Sequence, residues 1–140
     1  VNKRSWKSQY VVLEENSKFH NTVREILATS SFFSRLRCWQ EVPVFELIEG
    51  YSNKLHRYDW YIEELGIIIE LHGDQHYKPM FWSGISYEQA MSNLSKQQNA
   101  DSLKKFAAIE NGYRYVEIPY SEHRKLNEAA FKQAIYHENS

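Results

Sequence analysis

Cysteine is almost missing from this sequence: Cys38 stands alone among 140 residues. That excludes an internal disulfide framework and a cysteine-based zinc site, and it suits a reducing compartment. Glycine and proline are scarce, at five and three, too few for a collagen-like or low-complexity chain. No apolar run exceeds four residues, far short of a membrane span, and no charged-then-apolar leader opens the chain. The expectation is a soluble, cytoplasmic protein. A dominant charge is lacking too, since 17 Lys+Arg against 18 Asp+Glu leave −1. That argues against a bulk polyanion binder while leaving room for a local basic patch. The start at Val1 rather than Met reads as one domain, residues 1–140, taken from a longer polypeptide whose recognition region lies elsewhere.

Aromatic residues are abundant: 4 Trp, 10 Tyr and 7 Phe can fill a core or offer stacking surfaces to bases. Ser17 predicts the cap of a helix that runs to about Ser30 and buries Phe19, Val23, Ile26 and Leu27. The stretch Trp39 to Ile48 reads as a strand interrupted by Pro43, hence near a sheet edge or bulged, and Gly50 to Asn53 turns the chain. From Arg57 to Glu63 the alternation is clean, with Tyr58, Trp60 and Ile62 on one face. After Gly66 the triple isoleucine opens a second strand, Ile67 to His72, of a kind buried on both sides. An aromatic loop with Pro79, Phe81 and Trp82 leads to a helix from about Tyr87 to Glu110, with Leu94, Leu103, Phe106 and Ala107 as inward positions and Asn111-Gly112 as its C-terminal cap. Tyr113 to Ile118 is a further strand, stopped by Pro119, and Ser121 opens a last helix through Leu126, Ala130 and Phe131. The predicted order is α-β-β-β-α-β-α, an α/β fold.

If the strands around Glu64-Leu65 form a hairpin, residues whose numbers add to 129 face one another, which sets Asp59 opposite Glu70 and Arg57 opposite His72. Opposed like charges destabilise a sheet, so something positive belongs between the two acids. A divalent cation is the economical candidate, because two carboxylates and waters make an all-oxygen set suited to Mg²⁺. His76 lies just past the strand end, where a loop can return it to the same face. His56, His123 and His137 fall at loop or terminal positions and read as surface residues. By spacing, Asp101 with Lys104 and Lys105 reads as a solvated i,i+3 and i,i+4 pair.

Tyr58-Asp59-Trp60 followed by Ile67-Ile68-Ile69-Glu70-Leu71-His72-Gly73-Asp74-Gln75-His76-Tyr77 resembles the paired metal motif of the PD-(D/E)XK nucleases. Within them the chain looks like the very-short-patch-repair branch and the phage homing endonucleases with an EDxHD motif, over about Ser17 to Tyr120. The resemblance implies an αβββαβ restriction-endonuclease-like core, a mixed central sheet flanked by helices. It implies that Asp59 and Glu70, with the carbonyl of Leu71, hold Mg²⁺ or Mn²⁺, that His72 replaces the superfamily lysine, that His76 activates water, and that Asp101 is the acid preceding the final strand. The EDxHD glutamate has three candidates on or before the first helix: Glu15, Glu25, or His20 standing in its place.

The implied activity is metal-assisted hydrolysis of double-stranded DNA, with a second copy of the chain where both strands are cut. Arg57, Lys104 and Lys105 would contact phosphates, and Trp82 would wedge or stack on bases. Two readings from other classes compete. One is a catalytically silent nuclease fold used for DNA binding or protein interaction. The other takes His72-x3-His76 with Asp74 as a zinc hydrolase site, a motif that normally needs helical geometry which Gly73 disfavours.

Overall fold

The computed structural model describes residues 6–137; the early basic residues Lys3 and Arg4 and the side chain of His137 lie outside the described set. The chain forms β1 (Lys7–Ser8), α1 (Lys18–Thr29), β2 (Cys38–Pro43), α2 (Val44–Leu47), β3 (Arg57–Ile62), β4 (Ile67–His72), α3 (Tyr87–Glu110), β5 (Arg114–Pro119) and α4 (Glu128–His137). The five strands make one mixed sheet in the order β1-β2-β3-β4-β5. Only the β4–β5 pair is parallel. Its crossover carries α3, as a parallel connection requires. The fold is therefore α/β, a mixed sheet flanked by helices. Among the described residues no helix is long and apolar enough to cross a membrane.

Two core clusters gather the apolar side chains. One joins Phe19, Val23, Ile26 and Leu27 of α1 to Trp60, Ile62, Ile67, Ile69, Leu71, Val116 and Ile118 of the sheet and to Phe131 and Ile135 of α4. The other joins Val42, Tyr58, Tyr61, Ile68 and Tyr115 to Trp6, Val44, Ile48 and Ala108 of α3. All six residues of β4 are buried, in keeping with a central strand covered on both faces. Ser17 caps α1, its Oγ accepting the His20 amide at 3.4 Å. Gly66 turns β3 into β4 at φ +61°, and Gly112 follows α3 at φ +86°, left-handed conformations that glycine adopts without steric cost.

Four expectations need correction. The strand expected over 39–48 ends at Pro43 and continues as the helical turn α2, because proline cannot donate to a ladder and its fixed φ suits a helix entry; β2 does lie near the sheet edge, with only the two residues of β1 outside it. Tyr58 does not share a face with Trp60 and Ile62: it packs in the α3-side cluster, and its hydroxyl donates to the Lys104 carbonyl at 2.7 Å. On α3, Leu103 and Phe106 are 57% and 65% exposed. The helix meets the sheet through Ala107 and Ala108, small residues that allow close approach, while Ala90 and the half-buried Leu94 line a groove with Gln75, Met80 and Trp82. Finally, Ser121 opens no α-helix; residues Tyr120–Lys125 form a 3₁₀ turn, and α4 starts beyond Asn127, whose side chain accepts the Ala130 amide at 2.8 Å.

Candidate functional site

The β3–β4 ladder pairs Trp60 with Ile69, Tyr61 with Ile68 and Ile62 with Ile67, the expected register. One step further the backbone pairing stops, and side chains take over. The Asp59 amide donates to Glu70 Oε2 at 2.9 Å, and the Leu71 amide donates to Asp59 Oδ2 at 2.7 Å. The strands splay, and the two acids fill the opening. The expected pairing of Arg57 with His72 lies beyond it and does not form; Arg57 is exposed and its guanidinium donates to the Glu41 carbonyl at 3.1 Å. The carbonyl of Leu71 makes no contact with Asp59 among those described; its amide does, and its side chain enters the core.

Positive groups flank the acids rather than sitting between them. His20 on α1 sets Nε2 3.2 Å from Asp59 Oδ1, while its Nδ1 meets Ser17 Oγ at 2.9 Å. Lys104 on α3 contacts Glu70 Oε1 with its ammonium and donates to the Arg57 carbonyl at 3.0 Å. Lys104 thus serves Glu70 here, not a phosphate. Burial pushes the Asp59 carboxyl up, but the His20 bond and charge and the Leu71 amide bring it down to about 2. Glu70, only 2% exposed, is driven the other way by burial and by Asp59, with Lys104 opposing. Environment has separated two carboxyls that touch.

Glu41 also belongs to this group, and sequence reasoning missed it. It has φ +55°, unusual for a residue other than glycine, and the register skips it opposite Asp59. Burial and then Asp59 raise its carboxyl, and its charge in turn raises His20. Of the glutamates expected near α1, Glu15 is exposed, and Glu25 is 73% exposed with Arg24 at 4.0 Å. His20 alone of the three candidates reaches Asp59.

The second half of the site lies past the end of β4. His72 is buried, and the 3₁₀ turn Asp74–His76 returns His76 so that the two imidazoles stack, with centroids 3.9 Å apart and planes 7° from parallel. Asp101 of α3 reaches His76 Nδ1 at 2.8 Å and accepts from Gln97 at 3.0 Å. It is therefore not a solvated partner of Lys104 and Lys105; burial raises its carboxyl, but His76 and His72 outweigh that and hold it low. Glu117 of β5, also missed, lies 3.4 Å from His72 Nδ1 and accepts the Tyr77 hydroxyl at 3.3 Å. Its signal was available: it alternates with the core residues Val116 and Ile118, and parallel pairing sets it beside Glu70. Asp74 is 58% exposed and 4.0 Å from Lys78, so the His72-x3-His76 spacing finds its third donor in Asp101 instead.

Lys105 is exposed with its ammonium 5.9 Å from the Tyr115 ring centre. Trp82 is 60% exposed and borders a groove with Gln75, Met80, Leu94 and Gln97; Phe81 stacks on Tyr87 at 6.4 Å. His56 and His123 are partly buried, bonded to Tyr51 and Thr22 at 2.7 and 2.9 Å. No protein-family model matches the chain, and no curated protein matches it either.

Proposed function

We propose that this chain is the catalytic domain of a metal-dependent DNA endonuclease of homing or repair type, hydrolysing phosphodiester bonds in double-stranded DNA with Mg²⁺ or Mn²⁺. The observation that carries this reading is the opening between β3 and β4, where Asp59 and Glu70 replace ladder bonds while His76, paired with Asp101, stands beyond the end of the same strand. Two carboxylates form an all-oxygen donor set of the hard type. Each of their four oxygens takes one bond from His20, Leu71, Lys104 or Asp59. Carboxylate oxygens carry further lone pairs, so the group fits a divalent cation.

When bound there, such a cation would polarise the scissile phosphate and stabilise the charge that builds on it. The chain's own residues do the rest. Because Asp101 is an acceptor, His76 carries its proton on Nδ1, which leaves Nε2 basic and able to take a proton from water. His72 stacks against that ring and fixes its plane. Lys105 and Arg57, both exposed, are placed to meet phosphates.

The silent-module reading draws on one observation: Lys104 already compensates Glu70 without any ion. Plasmid nicking separates the two. The endonuclease reading expects cleavage by these 140 residues in Mg²⁺ or Mn²⁺, abolished by EDTA and by Asp59→Asn. Cleavage that survives Asp59→Asn, or none under any divalent ion, would overturn it.

A further inference from the structure

We propose that His72, His76 and Asp101 form a second metal site, of mixed nitrogen and oxygen donors, that takes a divalent transition ion of the zinc class and is distinct from the two-carboxylate opening. One potential ligand atom from each residue lies within 4.8 Å of the others. Both ring nitrogens of His72 are buried; Nδ1 has only Glu117, at 3.4 Å, and Nε2 has no hydrogen bond. Orphaned buried polar atoms of this kind are rare in folded proteins and ask for a partner. Two imidazoles and a carboxylate are the donors that zinc, cobalt and nickel prefer over magnesium.

The surroundings also match such a site. Ligating imidazoles usually hand their second nitrogen to a carboxylate, which fixes ring orientation; Glu117 lies 3.4 Å from His72 Nδ1, leaving Nε2 toward Asp101 at 4.0 Å. Glu117 is itself held by the Tyr77 hydroxyl. An ion about 2.0–2.1 Å from each donor sets the donors roughly 3.3 Å apart in a tetrahedron. His72 and Asp101 need to close by under an ångström from their present 4.0 Å. His76 and Asp101 need to open slightly from 2.8 Å. Turning the His76 ring out of its stack on His72 supplies both and brings the two in-plane lone pairs toward one point, and three protein ligands leave a fourth position open.

The binding claim stands alone, and its consequence rests on the endonuclease reading: an ion on His76 removes that imidazole from proton transfer, so zinc inhibits hydrolysis that magnesium supports. The test is titration of untagged, chelator-stripped protein with Co²⁺ alone, followed by visible absorption. The expected result is one equivalent bound with d–d bands of a four- or five-coordinate ion. Binding should weaken by about 100-fold or more in His76→Gln and Asp101→Asn and persist in Asp59→Asn. Far-ultraviolet circular dichroism checks the fold of each variant, and Asp101→Asn, which keeps the shape of the side chain, offers a milder change if His76→Gln unfolds. No stoichiometric band, a band indifferent to both substitutions, or a band lost in Asp59→Asn overturns the site. Co²⁺ binding as expected without any Mg²⁺-dependent cleavage overturns the endonuclease reading and leaves the site standing; cleavage without Co²⁺ binding does the reverse.

Discussion

Lys104 of α3 and Glu70 of β4 form a buried ion pair, with side chains 11% and 2% exposed, at the point where the β3–β4 ladder opens. Opposed acids alone would lead one to expect that deleting either carboxylate relieves repulsion. The ion pair reverses that expectation for Glu70.

Glu70→Ala should destabilise the domain by about 3–5 kcal/mol, because it leaves a buried ammonium without a counter-charge. Lys104→Met should cost a similar amount. With Glu70→Gln as the matching single change, the double change Glu70→Gln with Lys104→Met should recover most of the loss, and urea unfolding of wild type, these two singles and the double measures the coupling. Additive losses would show that the two groups act independently.

The His20–Asp59 contact gives a pH dependence whose sign can be worked out. Burial lowers the His20 pKa, but the Asp59 bond and charge outweigh it and raise it above 6.5. A raised histidine contributes stability that is complete below its unfolded value and lost as pH rises through the folded one. The Asp59 share is lost only as pH falls toward about 2. His20→Gln should therefore cost roughly 1–2 kcal/mol at pH 5.5 and less at pH 9. Equal losses at both pH values would remove the ion pair from the account.

On the endonuclease reading Asp101 acts on water only through His76, so its removal should damage rate more than binding. Asp101→Asn should lower kcat by about 10- to 100-fold while KM for DNA changes little. On that reading His76→Ala should abolish the dependence of rate on pH that a proton-accepting imidazole gives, whereas His72→Ala should lower the rate at every pH. A pH profile left intact in His76→Ala would pass the proton-accepting role to His72 or His20.

Burial drives the Cys38 thiol up to about 12, with the charge of Glu64 adding to it. Its thiolate is thus nearly absent at pH 8, and the thiolate is the reactive form. Iodoacetamide at pH 8 should leave the folded protein unmodified and label it fully in urea, as read by intact mass.

The sequence carried the hairpin register to the residue, since period-2 patterning around Gly66 specifies it and Trp60 does face Ile69. Helix ends near Ser17, Ser30 and Gly112 were equally legible from cap chemistry. What could not be read is which way α3 lies on the sheet. Its alanines decide that packing, and alanine scarcely registers beside Leu103 and Phe106 in a hydrophobic pattern. The meeting of Lys104 with Glu70 follows from that docking and was hidden with it. Tyr58 escaped because the strand changes face where Glu41 and Asp59 interrupt the ladder, a distortion that no alternation rule encodes.

The opening between β3 and β4 also bears on which substitutions such a fold tolerates over generations. Asp59 and Glu70 accept the amides of Leu71 and Asp59, so they complete the hydrogen bonding of the sheet as well as hold charge. A drift to alanine at either place strands a buried amide donor, at about 1–3 kcal/mol, whereas asparagine or glutamine keeps an acceptor in place. On the endonuclease reading, descendants that abandon the chemistry but keep the fold should bear amides at these two positions, whereas small apolar residues there mark a rebuilt sheet.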